Sequence, residues 1–247
     1  MNHITQPSPF FPFADYRAAK DAVLNAIETR EPYVLLTGES GCGKTSLVRE
    51  VAREVDRCRT RIFYFNLARL SPAGLVRVLA RSLRMPPLRS QPETVTAIAK
   101  LLRDEPWHSL VVVDEAQMVP EETFAELRTL SEVDLDGGVA VSVLLSGLPD
   151  LRERLRAPHL FPMWRRLLCR IEITGLTRDE MRPFAEYVLG PEVARRIGDD
   201  ALDILFEHGR GIPGLLRPYL ERAARRPGDE VLDRDDAEQI VQDFDLA

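Results

Sequence analysis

Gly38-Glu39-Ser40-Gly41-Cys42-Gly43-Lys44-Thr45 fills the pattern G-x-x-x-x-G-K-[ST], directly after the apolar run Tyr33-Val34-Leu35-Leu36-Thr37. Few stretches of this length constrain a fold so tightly. The pattern works only between a strand and a helix. Its glycines turn successive backbone N–H groups inward around an anion, and the helix aims its positive end at the same point. Gly38, Glu39, Ser40, Gly41, Cys42, Gly43, Lys44, Thr45 and Ser46 are therefore expected to cradle a triphosphate, mainly through backbone amides. Lys44 is placed to reach the β- and γ-phosphates, and the Thr45 hydroxyl to join the oxygen shell of a Mg²⁺ ion. The expectation is a chain that binds a nucleoside triphosphate.

Alternating strand and helix signals surround this loop. Strands are predicted at 33–37, 61–66, 109–113, 139–146 and 169–173. Helices are predicted at 15–29 with Asp15 as cap, and at 44–56, 71–83, 93–104, 120–133, 148–156 and 158–168. Ser109 to Val113 is short, apolar and β-branched, as suits a strand covered on both faces of a parallel sheet. The α/β pattern stops near Thr174, and four segments of helical period follow at 177–189, 199–208, 212–225 and 233–243. The predicted organisation is an extended arm over 1–14, held open by Pro7, Pro9 and Pro12, an α/β core over 15–174, and a small all-helical domain over 175–247.

Composition narrows the surroundings. Three cysteines (Cys42, Cys58, Cys169) lack metal spacing, and an odd number argues against a disulfide framework, so a reducing cytoplasm is expected. The longest apolar run, Val139 to Leu148, is too short to span a bilayer, and no membrane insertion is expected. A net charge of −6 leaves no global positive field to advertise nucleic acid. Only three of the 33 basic residues are lysine, a skew that suits either a GC-rich genome or phosphate and carboxylate recognition between subunits.

The strand Leu110-Val111-Val112-Val113 ends in Asp114-Glu115, where ligands gather in a parallel sheet. Asp114 is the expected partner of the Mg²⁺ shell, and Glu115 the group that polarises a water for in-line attack on the γ-phosphate. Ser146 closes the next strand before Gly147-Leu148-Pro149, either as a contact to the γ-phosphate or attacking water or as a simple turn serine. Arg165, Arg166 and Arg170 flank the last strand. An added cation at the γ-phosphate speeds phosphoryl transfer, so Arg166 and Arg170 are candidates to reach a neighbouring subunit's site, with solvated surface charge as the alternative.

With these residues in place, the chain resembles an AAA+ ATPase, and more narrowly the ExeA-like group with its transposition relatives TnsC, TniB, IstB and MuB. The likeness runs through Pro9-Phe10-Phe11-Pro12-Phe13, the phosphate loop, Val113-Asp114-Glu115-Ala116-Gln117, Leu145-Ser146-Gly147-Leu148-Pro149-Asp150-Leu151-Arg152 and Gly211-Ile212-Pro213. The resemblance implies a P-loop α/β fold with a parallel sheet of order 5-1-4-3-2, a helical lid over the adenine, ATP with Mg²⁺, and nucleotide-dependent homo-oligomers, as rings or filaments. It implies Walker A roles for Lys44 and Thr45, Walker B roles for Asp114 and Glu115, and a sensor role for Ser146. The family often carries an arginine directly after the lid's Gly-x-Pro. Here that position is Gly214, so the contact is either weakened or supplied by Arg217 one turn along.

Three functions are then weighed, in order. The first is a transposition regulator that oligomerises on double-stranded DNA and signals to a transposase; a short, freestanding chain favours it over the secretion members of the group. Arg69, Arg77, Arg81 and Arg84 are its candidate DNA contacts, the last three sharing a helix face at i, i+4 and i+7, against a reading as solvated charge. The second is a secretion or envelope-assembly ATPase acting on protein partners without DNA. A signalling switch, in which binding outweighs hydrolysis, is a third.

Overall fold

A computed structural model of the chain describes residues 10–66, 71–86, 90–132, 139, 141–227 and 230–245. The chain divides into two compact units, one comprising residues 19–38 and 47–172, the other residues 1–18, 39–46 and 173–247.

The first unit is built on five strands, β1 (Tyr33–Gly38), β2 (Thr60–Phe65), β3 (His108–Val113), β4 (Val141–Gly147) and β5 (Cys169–Ile173), in the order β2-β3-β4-β1-β5. This is the expected 5-1-4-3-2 order read from the other edge. The pairs β2–β3, β3–β4 and β1–β4 are all parallel. Their registers decide which strand ends meet. Val113 lies opposite Leu145, so Asp114 comes level with Ser146, while Ser146 on its other side faces Leu36. The carboxyl ends of β1, β3 and β4 thus share one edge.

Every residue of β1, β3 and β4 is buried, which explains their nearly unbroken apolar sequences. Helices α3 (Pro72–Ser82), α4 (Gln91–Asp104) and α5 (Glu121–Glu132) present Leu75, Leu79, Ile98, Leu102, Phe124 and Leu127 to the sheet's core, each fully buried and worth about 1.5–3 kcal/mol of transfer free energy. Sequence explains where two of these helices start. The Ser71 hydroxyl accepts from the Gly74 amide at 3.1 Å ahead of Pro72, and the Ser90 hydroxyl accepts from the Glu93 amide at 3.3 Å ahead of Pro92.

Several boundaries differ from expectation. The helix expected over 71–83 ends at Ser82, and Arg84 follows it in the left-handed region at φ 55°. Arg77 and Arg81 therefore share α3, but Arg84 is not on that helix face, and Arg69 lies outside the described residues. The helices expected over 148–156 and 158–168 contract to α6 (Asp150–Leu155) and α7 (Phe161–Arg166).

A charge-free histidine anchors the amino-terminal edge of the sheet. His108 is 4% exposed, and its Nε2 lies 2.9 Å from Ser142 Oγ. The Ser142 hydroxyl donates its proton to the Glu31 carbonyl, so Nε2 must carry the imidazole's hydrogen. Burial, followed by the nearby Arg30 guanidinium, pushes this ring's pKa down from 6.5 to about 4. The unfolded chain binds a proton here below pH 6.5 and the native chain does not. Stability is therefore expected to fall as pH drops from 6.5 towards 4, by up to about 3 kcal/mol from this residue. Urea unfolding of His108→Gln across that window checks it. The variant should lose less stability than the parent on acidification, and an equal loss would remove His108 as the cause.

The second unit collects α8 (Met181–Leu189), α9 (Pro191–Ala194), α10 (Asp199–Gly209), α11 (Pro213–Ala224) and α12 (Arg234–Asp245). Met181, Phe184, Leu202, Leu205, Leu216 and Leu220 form its buried interior. The short α9 was not expected, because Gly190-Pro191 reads as a break. Here the glycine takes φ 80° and the proline restarts a helix at its first position. The N-terminal segment belongs to the same unit. Helix α1 (Ala14–Glu28) begins one residue before Asp15, so Asp15 is not its cap. Instead, the Asp15 carboxylate accepts from the Thr174 amide at 2.6 Å and the Thr174 hydroxyl at 3.0 Å. The Ala14 amide donates to Glu180 Oε1 at 2.6 Å, while Glu180 Oε2 accepts from the Thr177 amide at 3.0 Å. Burial works against that carboxyl's charge, yet the bonds from Thr177 and Ala14 hold it below its ordinary value. Phe11 packs on Phe184 and Tyr187 with ring centroids 5.5 and 5.4 Å away. Among the described residues, no helix is long and apolar enough to cross a membrane.

Candidate functional site

The glycine-rich loop leaves β1 at Gly38 and enters α2 (Lys44–Glu54) at Lys44. Gly41 and Gly43 take φ values of 88° and 96°, which a residue with a Cβ adopts only under strain. The Cys42 amide donates to the Glu39 carbonyl at 3.3 Å, closing the turn. Lys44 is 6% exposed, and its ammonium donates to the Glu39 carbonyl at 2.9 Å, so the side chain folds back over the loop. Thr45 and Ser46 occupy the first turn of α2, whose backbone N–H groups point out of the helix's positive end. A concave run of amides, a helix N-terminus and a held lysine together suit an anion of high charge density. The Cys42 side chain is buried, and burial pushes its thiol up, so it stays protonated and contributes packing.

The loop is also pressed from two sides within its own unit. The Gly214 amide, in the first turn of α11, donates to the Gly41 carbonyl at 3.1 Å. A Cβ at Gly214 would sit 2.8 Å from Gly41 Cα, leaving no room for any side chain there. Gly214, where the resemblance leads one to expect an arginine, thus permits a direct backbone contact between α11 and the loop. Arg217, one turn along, pairs with Glu221 at 3.8 Å and is half exposed. A Cβ at Gly43 would meet the Phe10 ring at 2.4 Å, and Phe10 in turn stacks on Tyr16 with centroids 4.8 Å apart.

The acidic residues form a second cluster at the carboxyl edge of the sheet. Asp114 and Ser146 are fully buried, and the Ser146 hydroxyl donates to Asp114 Oδ1 at 2.8 Å, as the strand register requires. The Tyr64 hydroxyl donates to Asp114 Oδ2 at 2.9 Å, and burial followed by this bond pushes the phenol up to about 12. The backbone amide of Glu115 donates to Asp114 Oδ1 at 3.1 Å. Glu115 itself stands in the left-handed region at φ 54°, ψ 39°, uncommon outside glycine, asparagine and aspartate. Its Oε2 accepts from Gln117 Nε2 at 2.6 Å. A carboxylate at a strand end that is oriented by neighbours and left partly exposed can accept a proton from water.

Nothing in the sequence marks Tyr64 as a member of this cluster. The alternation of buried Phe63 and Phe65 around it in β2 marks it as facing away from the main core, but not what it meets. The arginines separate. Arg165 and Arg166 end α7 on the exposed surface. Arg170 lies with its guanidinium 3.9 Å above the Trp164 ring and donates to the Trp164 carbonyl at 3.1 Å.

Comparison with known proteins bears on the family and the fold. A family model described as "AAA domain" matches residues 27–155. General secretion pathway protein A of Aeromonas hydrophila is 27% identical over 202 residues, covering 77% of this chain and 36% of that protein, so the chain spans about a third of that relative's length. The Aeropyrum pernix ORC2 protein, solved as ADPNP–ADP complexes, superposes with a TM-score of 0.65 at 15% identity over 100% of this chain and 71% of that one. The Aeropyrum pernix ORC1 protein, solved in complex with DNA, gives 0.60 at 18% identity over 96% and 66%. The two solved structures share the fold. The phosphate loop, the strand order and a family match across more than half of the sequence give one conclusion: this chain belongs to the AAA domain family.

Proposed function

We propose that this chain is a Mg²⁺-dependent ATPase that assembles into homo-oligomers when ATP is bound and works on a protein partner, as a secretion or envelope-assembly ATPase does. The observation that carries the ATP reading is the loop itself, with Gly41 and Gly43 at positive φ leading into α2 at Lys44. On this reading the amides from Gly38 to Ser46 and the Lys44 ammonium bind the phosphates. Thr45 and Asp114 supply hard oxygen donors of the kind Mg²⁺ takes beside substrate phosphates. When bound, the metal neutralises charge on the phosphate oxygens. Glu115 accepts the proton of the attacking water, and Ser146, bonded to Asp114, keeps that carboxylate in place. Arg166 and Arg170 are candidates to act on a neighbour's site, Arg170 only by leaving its seat on Trp164. Gly214 gives the lid a backbone contact to the loop, which makes Arg217 a substitute only if it leaves Glu221.

The protein-partner reading is favoured by General secretion pathway protein A at 27% identity. Because the chain spans about a third of that protein, its shortness does not separate secretion from transposition. The DNA reading, with a transposase as partner, keeps two supports, the exposed Arg77 and Arg81 on α3 and a shared fold with a protein solved on DNA. One experiment divides them. Light scattering with Mg²⁺ and a non-hydrolysable ATP analogue is expected to show a larger assembly than without nucleotide. Duplex DNA added at rising salt should leave it unchanged. Retention on DNA that needs the analogue and falls steeply with salt would overturn the protein-partner reading.

A further inference from the structure

Gln117 is joined to the catalytic edge at both ends of its amide. Nε2 donates to Glu115 Oε2 at 2.6 Å, and Oε1 accepts from the Leu148 backbone amide at 3.2 Å. The chemistry fixes this orientation, since a flipped amide would set oxygen against carboxylate and N–H₂ against N–H. The residue's backbone is held as well. Arg154 donates to the Gln117 carbonyl through Nη1 and to the Val119 carbonyl at 2.9 Å through Nη2. Gly147, the last residue of β4, leaves the space the amide fills, because a Cβ there would lie 2.6 Å from Gln117 Oε1. Glu115 is the residue at positive φ that this bridge holds. The bridge therefore ties the Glu115 carboxylate to the turn that follows Ser146.

We propose that Gln117 is a positioning residue for ATP hydrolysis: its amide fixes one Glu115 oxygen, orients the other towards water, and makes the setting of Glu115 depend on the β4 turn. This rests on the reading of Glu115 as the proton acceptor. A carboxylate tied through one oxygen keeps the second for the attacking water and needs no reorientation as the proton moves. Displacement of the β4 turn moves Leu148, hence Gln117, hence Glu115. Ser146 and Asp114 form a parallel link between the same two strand ends, so both acids answer to one turn.

The test is steady-state ATPase kinetics on the full chain. Gln117→Met keeps the side chain's length and removes both hydrogen bonds. Its kcat is expected to fall about 10-fold or more, with KM and nucleotide affinity within about twofold of the parent and the melting temperature little changed. Gly147→Ala pushes a methyl group against the amide and, at 2.9 Å, against the buried Leu151 side chain, so it should lower kcat with Gln117 intact but also lower the melting temperature. The decisive comparison is in a Glu115→Gln background. Gln117→Met should cost nothing further there, since it acts through the lost carboxylate. A parent-like kcat in Gln117→Met, a rise in KM in step with the fall in kcat, or a further loss in the Glu115→Gln background would overturn the proposal. If Glu115→Gln itself leaves turnover intact, it is the proton-acceptor reading that fails, and the two failures are told apart.

Discussion

Replacing Lys44 with alanine is expected to remove nucleotide binding while leaving the fold in place. The ammonium is nearly buried and donates to the Glu39 carbonyl at 2.9 Å. A bound triphosphate would offer it several charged oxygens. Charge-assisted bonds of that kind are worth about 1.5–3 kcal/mol each, so Lys44→Ala should weaken Mg-ATP affinity by roughly 100-fold or more. Fluorescence titration with a labelled nucleotide measures it. The melting temperature without nucleotide should change little, because the loop's shape is set by Gly41, Gly43 and the Cys42–Glu39 turn. Parent-like affinity in this variant would remove the loop from the binding site.

Glu115→Gln is expected to separate binding from hydrolysis. The substitution keeps the size of the side chain and an oxygen that can accept from Gln117, so the strained backbone at φ 54° keeps its local partners. What it loses is the ability to take a proton. General-base catalysis typically contributes about 10²–10⁴-fold, and turnover should fall within that range while Mg-ATP affinity is retained. Assemblies formed with ATP should then persist, as they do with a non-hydrolysable analogue. A phosphate-release assay read beside light scattering shows both effects. Undiminished turnover would assign the proton to another group.

The parts of this protein legible in its sequence are those governed by local chemistry. Val34 to Leu36 and Leu110 to Val113 read as buried strands because every position is apolar, and they are buried. Ser71-Pro72 marks a helix start because a cap and a fixed φ act within four residues. The strand order is different in kind. No periodicity dictates it, and it was implied only by the family resemblance that the loop and Asp114-Glu115 carried. Several of the differences come from contacts made at long range. Asp15 looks like a cap in sequence, but its carboxylate is taken by Thr174, 159 positions away. Arg84 continues a helical spacing past a helix that has already ended. Gly214 reads as a missing arginine, whereas the fold uses its lack of a side chain to bring α11 against Gly41. Tyr64 reaches Asp114 from 50 positions away, a tertiary contact that no spacing along the chain announces, whereas Gln117 meets Glu115 from two residues along and is told apart from an ordinary turn residue only by its second bond, to Leu148.

On the proposed reading, backbone amides at the head of α2, together with Lys44, grip a triphosphate. Isothermal titration calorimetry of the folded chain with Mg-ATP tests it most directly. The predicted result is a saturable heat at one nucleotide per chain that disappears in Lys44→Ala. Folded protein that gives no heat with Mg-ATP or Mg-ADP would contradict it.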